Sequence, residues 1–441
     1  MKKIAKKKDI IRKSLRFSFL DGVFASGMAG FTQEYFTPFL LILNATARQV
    51  GMLSALPNLF ASLMQLKTAD LADWIRSRKK IITLFVLLQA LVLLPMALLA
   101  FSGEYRPGIF IAMVILFTSF GAITAPAWGS LMSDLVPHRK RGAYFGWRNR
   151  TLGFILVAMT FAAGCFLNLM KHINIFYGFA FLFLVAFIFR IISWRYLKKM
   201  YEPPLEVKKE HYFGIVDFLL NVRRSNFAKF VLFIAAMNFS VNIASPFFSM
   251  LILRDLKFSY FLYTVITVTA TMTIYVVIGR WGRHADNVGN LRIIRFVSPF
   301  IGFIPLLWII NRNPVFLILA QIFSGFIWAG FNLCSSNFIY DAVTPQKRTR
   351  CIAYFNFING LALCGGALLG GFLLKYLPPL FGYKVLTLFL ISSILRLIIG
   401  FWAPSKLREV RPVEHVRSDN LFFSIIGIRP LLGIERKTIR Y

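Results

Sequence analysis

The chain has 18 acidic residues, and sixteen of them fall in charged stretches between long apolar runs. The exceptions, Asp21 and Glu34, share the first run. A carboxylate in an apolar environment is costly enough that it neutralises, pairs or serves a function. Asp21 stands four or five residues from the basic end of its run, near enough to reach the interface or to pair with Arg16 or Arg12. Glu34 lies about seventeen residues in, away from both escapes, and is the candidate for carrying a proton. Two further runs carry polar stripes at helical spacing: Asn238 and Asn242 on one, and Gln321, Ser324, Trp328 and Asn332 on another. Such amides could bind a polar solute. They could equally hydrogen-bond between helices, an interaction worth ~0.6 kcal/mol on average in a membrane.

Other chemistries find no residues. There is no Gly-x-x-x-x-Gly-Lys-Ser/Thr stretch, so no ATP motor is expected. The histidines His138, His172, His211, His284 and His415 lie outside the apolar runs at no metal-ligand spacing, and Cys165, Cys334, Cys351 and Cys364 read as small core residues. With no acid pair or nucleophile–base set inside the runs, the expectation is a protein that is not an enzyme and holds neither cofactor nor metal.

The elements that must position Glu34 and the amides are membrane helices. Apolar residues make up 57% of the 441 and charged residues only 16%, with a mean hydropathy of +0.65. This composition excludes a soluble multidomain enzyme. Twelve runs are long enough to cross a bilayer, roughly at 17–43, 47–68, 80–101, 107–132, 143–168, 174–197, 226–253, 258–280, 291–310, 314–340, 351–374 and 382–403. The first is too long for a signal peptide and is expected to remain as a helix. Of the 51 Lys and Arg residues, 41 fall in the tails and in every second loop, and eight in the alternate loops. Basic residues resist translocation, so the richer side, with both termini, is expected to be cytoplasmic. The net charge of +33 is therefore a topology signal that meets lipid headgroups rather than nucleic acid.

The chain also repeats at an offset of about 206–213 residues. Phe31, Glu34, Pro38 and Phe39 fall on Phe239, Asn242, Pro246 and Phe247, Arg190 falls on Arg396, and the Asp134 to Pro137 turn matches Asp341 to Pro345. The loop Ala69-x-Leu71-Ala72-Asp73-x-x-Arg76-x-Arg78 has its counterpart in Gly282-x-x-Ala285-Asp286-x-x-Gly289-x-x-Arg292. Twelve spans, a parallel six-plus-six repeat and this loop in both copies resemble the major facilitator superfamily over residues 15–404.

The resemblance implies an all-α membrane fold of two pseudo-symmetric six-helix bundles, with spans 1, 4, 7 and 10 lining a central cavity. It divides the chain into a basic N-terminus (1–16), a first bundle (17–198), a linker with an interfacial helix near 213–220 (199–225), a second bundle (226–403) and a tail (404–441). It also implies a cytoplasmic gate. Asp73 should approach the start of span eleven at Arg350–Ala353, and Asp286 the start of span five at Gly142–Phe145, with Arg78, Arg141 and Arg350 around them. An anion beside a helix N-terminus gains ~0.3–1 kcal/mol. The drug-exporter branch fits less well, since span four lacks an arginine and span five lacks a Gly-x-x-x-Gly-Pro motif.

The expected function is secondary active transport of a small organic solute, coupled to protons through Glu34, in a bacterial inner membrane. The expected binding set is Glu34, Asn238, Asn242, Gln321, Trp328 and Asn332. Facilitated diffusion, or a non-transporting receptor, assembly factor or scramblase on the same fold, is the alternative.

Overall fold

In the computed structural model, residues 2–75, 77–136, 141–203, 225–343 and 348–410 are described. Among them the chain is helical almost throughout, as α1 (Lys2–Thr32), α2 (Ala47–Ile75), α3 (Arg78–Ser102), α4 (Pro107–Leu135), α5 (Arg141–Met170), α6 (Ile175–Lys198), α7 (Asn226–Ala244), α8 (Tyr260–Val288), α9 (Asn290–Ile310), α10 (Pro314–Ala342), α11 (Arg348–Tyr376) and α12 (Lys384–Trp402). Ten of these are long and apolar enough to cross a membrane. The sequence expects twelve spans; α1 and α2 are the two that length and composition do not secure. The expected interfacial helix near 213–220 lies outside the described residues.

Local chemistry sets the helix ends. Ser77 caps α3 by accepting from the Lys80 amide, and α3 stops at Gly103 with φ +67°. Asn174 and Asn313 cap α6 and α10, and Pro107 and Pro314 occupy first-turn positions where no amide is needed. On the basic side the helices outrun their apolar cores. Because the backbone ladder needs no apolar side chains, α1 already begins at Lys2 and α4 continues to Leu135.

Two helices break at related places. The regular α1 ladder stops at Thr32, turns through Gln33–Tyr35 and resumes over Phe36–Ile42. After α7 the chain turns through Ser245–Phe247, where Pro246 has no amide to donate, and continues through Phe248–Met250 into a π-helical stretch at Leu251–Asp255. The turns are 212 residues apart, so the break puts Glu34 in register with Pro246, one helical turn beyond Asn242.

By contact the chain groups into two units that cut across the sequence repeat. The first holds Met1–Lys209, Asn242–Val268 and Asn359–Leu388; the second holds Glu210–Val241, Thr269–Ile358 and Phe389–Tyr441. In the first unit, α1 packs on α5 and α6, and α3 on α4 and α6, around a cluster of Phe36, Phe39, Phe110, Phe179 and Phe183. The second unit is cored by Phe230 stacked on Phe338 at 4.3 Å and by Trp281, whose indole donates to the Phe326 carbonyl.

Each unit fastens the start of one helix to the end of another. In the first, buried Arg78 donates to Asp134 at 2.7 Å and to Ser130 and the Pro203 carbonyl, while Glu202 accepts from the Lys79 amide. In the second, buried Asn290 donates to Asp341 at 2.8 Å, and Glu409 accepts from the Leu291 amide. Breaking a buried pair costs ~3–5 kcal/mol, and the 43% exposure of Asp134 softens this. Arg78→Ala should therefore lower stability by ~2 kcal/mol and Asn290→Ala by about half as much, measured as thermal unfolding in detergent. Unchanged melting of Arg78→Ala would show that this fastening contributes nothing.

Candidate functional site

The break in α1 leaves backbone groups that other side chains must satisfy. The Glu34 carbonyl accepts from the Tyr263 hydroxyl of α8 at 2.8 Å, and Ser249 lies 3.2 Å from that hydroxyl. The next residue, fully buried Tyr35, donates to the Thr160 carbonyl of α5 and lies 3.1 Å from the Thr264 hydroxyl of α8. Thr264 also faces the Tyr260 carbonyl at 2.8 Å, so its single hydrogen has two possible acceptors. Gly164 makes the approach of α5 to α8 possible, since a Cβ there would collide with Thr264. All these groups lie in the first unit and join α1, α5 and α8 at one point.

Glu34 is exposed as a residue, and its carboxylate has no hydrogen-bond or ionic partner among the described residues. Asp21 contrasts with it. It is buried, and the Ser193 hydroxyl donates to it at 2.6 Å while accepting from Arg190 at 3.2 Å. Arg12 and Arg16, the partners expected from sequence, stay exposed, because Asp21 turns toward α6. Arg148 completes the cluster: buried, over the Trp128 ring at 4.4 Å, and donating to the Ser18 carbonyl. Gly22 makes room for it, since a Cβ there would lie 2.6 Å from Arg148 Nη2. Sequence reasoning counted Arg148 among loop charges. The signal available was its helical spacing of four from Tyr144, which hydrogen-bonds the Leu15 carbonyl of α1.

The second half keeps the arginine without the acid. Arg396 is buried and donates to Ser392 Oγ and to the Val241 and Ile301 carbonyls, with no carboxylate among its described partners.

On α10 the expected stripe lies along one face. Gln321 and Trp328 are half-buried, Asn332 is exposed, and neither amide has a hydrogen-bond partner among the described residues. Asn238 belongs with them in the second unit, whereas Asn242 lies buried in the first unit with Glu34. Of the expected gate, Arg78 is committed to Asp134, and Asp286 is exposed near the end of α8. The side chains of Asp73, Arg141 and Arg350 lie outside the described residues. Among the described residues no group of three or more His, Cys, Asp or Glu side chains is placed to hold a metal ion.

A family model described as the Major Facilitator Superfamily matches residues 22–364 and again 230–433. The chain belongs to the major facilitator superfamily. No curated protein matches it over its sequence. Solved structures of the superfamily's fold do. An auto-inhibited POT-family peptide transporter matches with a TM-score of 0.72 at 11% identity, over 92% of this chain and 99% of that one. A D-xylose–proton symporter gives 0.69 at 12% over the same shares, and the nucleoside transporter NupG gives 0.66 at 14% over 90% and 100%. At such identities the likeness establishes the helical fold alone; membership rests on the family model, and the ten long apolar helices fit an integral membrane protein.

In this superfamily member the joint at the α1 break links helices far apart in sequence through Tyr35 and Tyr263. Tyr263→Phe removes the donor that holds the Glu34 carbonyl, a bond worth ~1 kcal/mol net. Amide hydrogen exchange in residues 31–42 should rise about fivefold in the variant. Unchanged exchange would mean that the freed carbonyl is satisfied by other means.

Proposed function

We propose that this protein is a proton-coupled secondary transporter of a small organic solute, with Glu34 as the proton carrier. Membership of the superfamily supports transport in general. The observation that supports the finer reading is a carboxylate with no partner among the described residues, on the break of the first long helix, beside a backbone carbonyl that ties that helix to α8. A carrier must be free to take up and release its proton; Asp21 is held by Ser193 in a buried cluster, whereas Glu34 has no such partner among the described residues. Protonation of Glu34 removes a full charge within two residues of the Tyr35 and Tyr263 joint. The strength of that joint then differs between the loaded and unloaded states, and this differential is what couples a proton to a conformational equilibrium.

The solute would meet the free amides of Gln321 and Asn332 and the indole of Trp328 on α10, together with Asn238 and Asn242. These offer hydrogen bonds and one aromatic face to a polar or amphipathic molecule. Residues 17–198 and 226–403 would rock about this site, joined by 199–225. Asp73 and Asp286 would close the cytoplasmic side against Arg141 and Arg350. The termini would lie in the cytoplasm of a bacterium. The solutes named for the structural neighbours (a nucleoside, D-xylose and peptides) are the first to try.

In proteoliposomes with an imposed pH gradient, Glu34→Gln should lose gradient-driven accumulation by on the order of tenfold or more, while exchange of labelled for unlabelled solute continues. An infrared difference spectrum between acid and alkaline buffer should show a carboxyl C=O band that the variant lacks. Full accumulation by Glu34→Gln would leave facilitated diffusion or another carrier as the account.

A further inference from the structure

A buried group of charges in the first unit is left incomplete by its own partners. Asp21 of α1, Arg148 of α5 and Arg190 of α6 are each buried, and both guanidinium charges reach the carboxylate. Arg190 does so by way of Ser193, and Arg148 packs over the Trp128 ring of α4 at 4.4 Å. The group therefore holds two cations against one anion. It also holds unused donors. Nε of Arg148, Nε of Arg190 and Nε1 of Trp128 are buried with no hydrogen-bond partner among the described residues.

Arg396, the repeat mate of Arg190, shows how the fold completes a buried guanidinium without an acid. Its Nε donates to Ser392 Oγ, and its two terminal nitrogens donate to the Ile301 and Val241 carbonyls. Arg148 has one such carbonyl, that of Ser18, and Arg190 has one hydroxyl. A buried N–H without an acceptor is costly, and more so when it carries charge. An acceptor has room to arrive. Trp128 is half-buried beside exposed Gly129 and Ser130, and a Cβ on Gly129 or on Gly146 of α5 would meet nothing within 4 Å. The Trp128–Arg148 pair thus stands at the open edge of the group.

We infer that Arg148, Arg190 and the Trp128 indole form a binding site for a small monovalent anion, whose lone pairs take the unused N–H donors. Charge sets the valence. The group exceeds neutrality by one positive charge, so a monovalent anion balances it and a divalent one overshoots. A cation would add to a group that is already positive, and a neutral amine would bring donors where donors are in surplus. Chloride and a carboxylate group share the required chemistry. A carboxylate would belong to the solute itself, a case that rests on the transport reading above and makes that solute an organic acid anion.

The full chain in phosphatidylcholine nanodiscs, with sodium chloride, formate or acetate replacing sodium gluconate at constant ionic strength, tests this by tryptophan fluorescence and thermal unfolding. The wild type should give a saturable fluorescence change and a rise in melting temperature that sodium sulfate does not reproduce. Asp21→Asn keeps an acceptor for Ser193 and removes the competing charge, so it should bind the anion about tenfold more tightly, and Arg190→Gln about tenfold more weakly. Arg396→Gln should leave the affinity unchanged. A cluster that serves structure alone would not give opposite shifts in affinity. If Arg190→Gln fails to fold, Asp21→Asn decides, because its expected change is a gain. Tighter binding of chloride identifies a free ion, and tighter binding of formate and acetate identifies a solute carboxylate. No saturable response in the wild type, an equal response to sulfate, or unchanged affinity in Asp21→Asn would each overturn the inference. Since binding is read without a pH gradient, such a failure leaves proton coupling at Glu34 untouched.

Discussion

A helix in a bilayer has to satisfy its own backbone, because no water is there to do it. Every interruption of such a helix is therefore answered by a specific partner, and the interruption of α1 at Gln33–Tyr35 organises much of the first unit. It frees the Glu34 carbonyl, which Tyr263 meets, and it turns Tyr35 toward α5 and α8. The aromatic cluster of Phe36, Phe39, Phe110 and Phe183 begins just past the break and holds the resumed helix in place. The close glycine contacts follow the same logic. Gly51 lies where a Cβ would be 2.7 Å from the Ala367 carbonyl, so α2 and α11 meet backbone to backbone. Helices that gain nothing from hydrophobic transfer between apolar surfaces must use this kind of contact.

The same scarcity of water sorts the charged groups. A buried ion remains only where donors and acceptors surround it. Asp21 meets that demand through Ser193, with the charges of Arg190 and Arg148 reaching it, and it is sealed. Arg396 meets it with two carbonyls and a serine and needs no anion. Glu34 does not meet it. Two carboxylates thirteen residues apart are thus treated differently: Asp21 is built into a buried cluster, and Glu34 has no partner among the described residues.

How far this was legible in the sequence depends on how local each feature is. Gly103, Pro107 and Pro314 act within their own turn, so helix ends could be read directly, and the Asp134 and Asp341 turns exposed the repeat. Arg78 could not be placed in the same way. Its partners Asp134 and Pro203 are more than fifty residues away, and the loop motif around it suggested a gate residue instead. Tyr35 and Tyr263 gave no periodic signal among 48 phenylalanines and 15 tyrosines. Arg148 fell at the basic end of the run 143–168 and was tallied with the charges of that side, whereas in α5 it lies two turns inside the helix and is buried. The pairing of Glu34 with Asn242 follows from matched phenylalanines and prolines, whereas the backbone break follows Pro246 and shifts the register by one turn.

These differences between the repeat copies bear on mechanism. A duplicated fold supplies each position twice, and function appears where the copies part. Arg190 works beside an acid and Arg396 does not; Arg78 has two carboxylates within reach where Asn290 has one. Asp21 and Glu34 lie in the first copy, and Gln321 and Asn332, which have no hydrogen-bond partner among the described residues, lie in the second. The two copies thus differ in their polar side chains, carboxylates in the one and amides in the other. The copies keep their common helical frame because the frame obeys the bilayer, and only the side chains on it are free to differ.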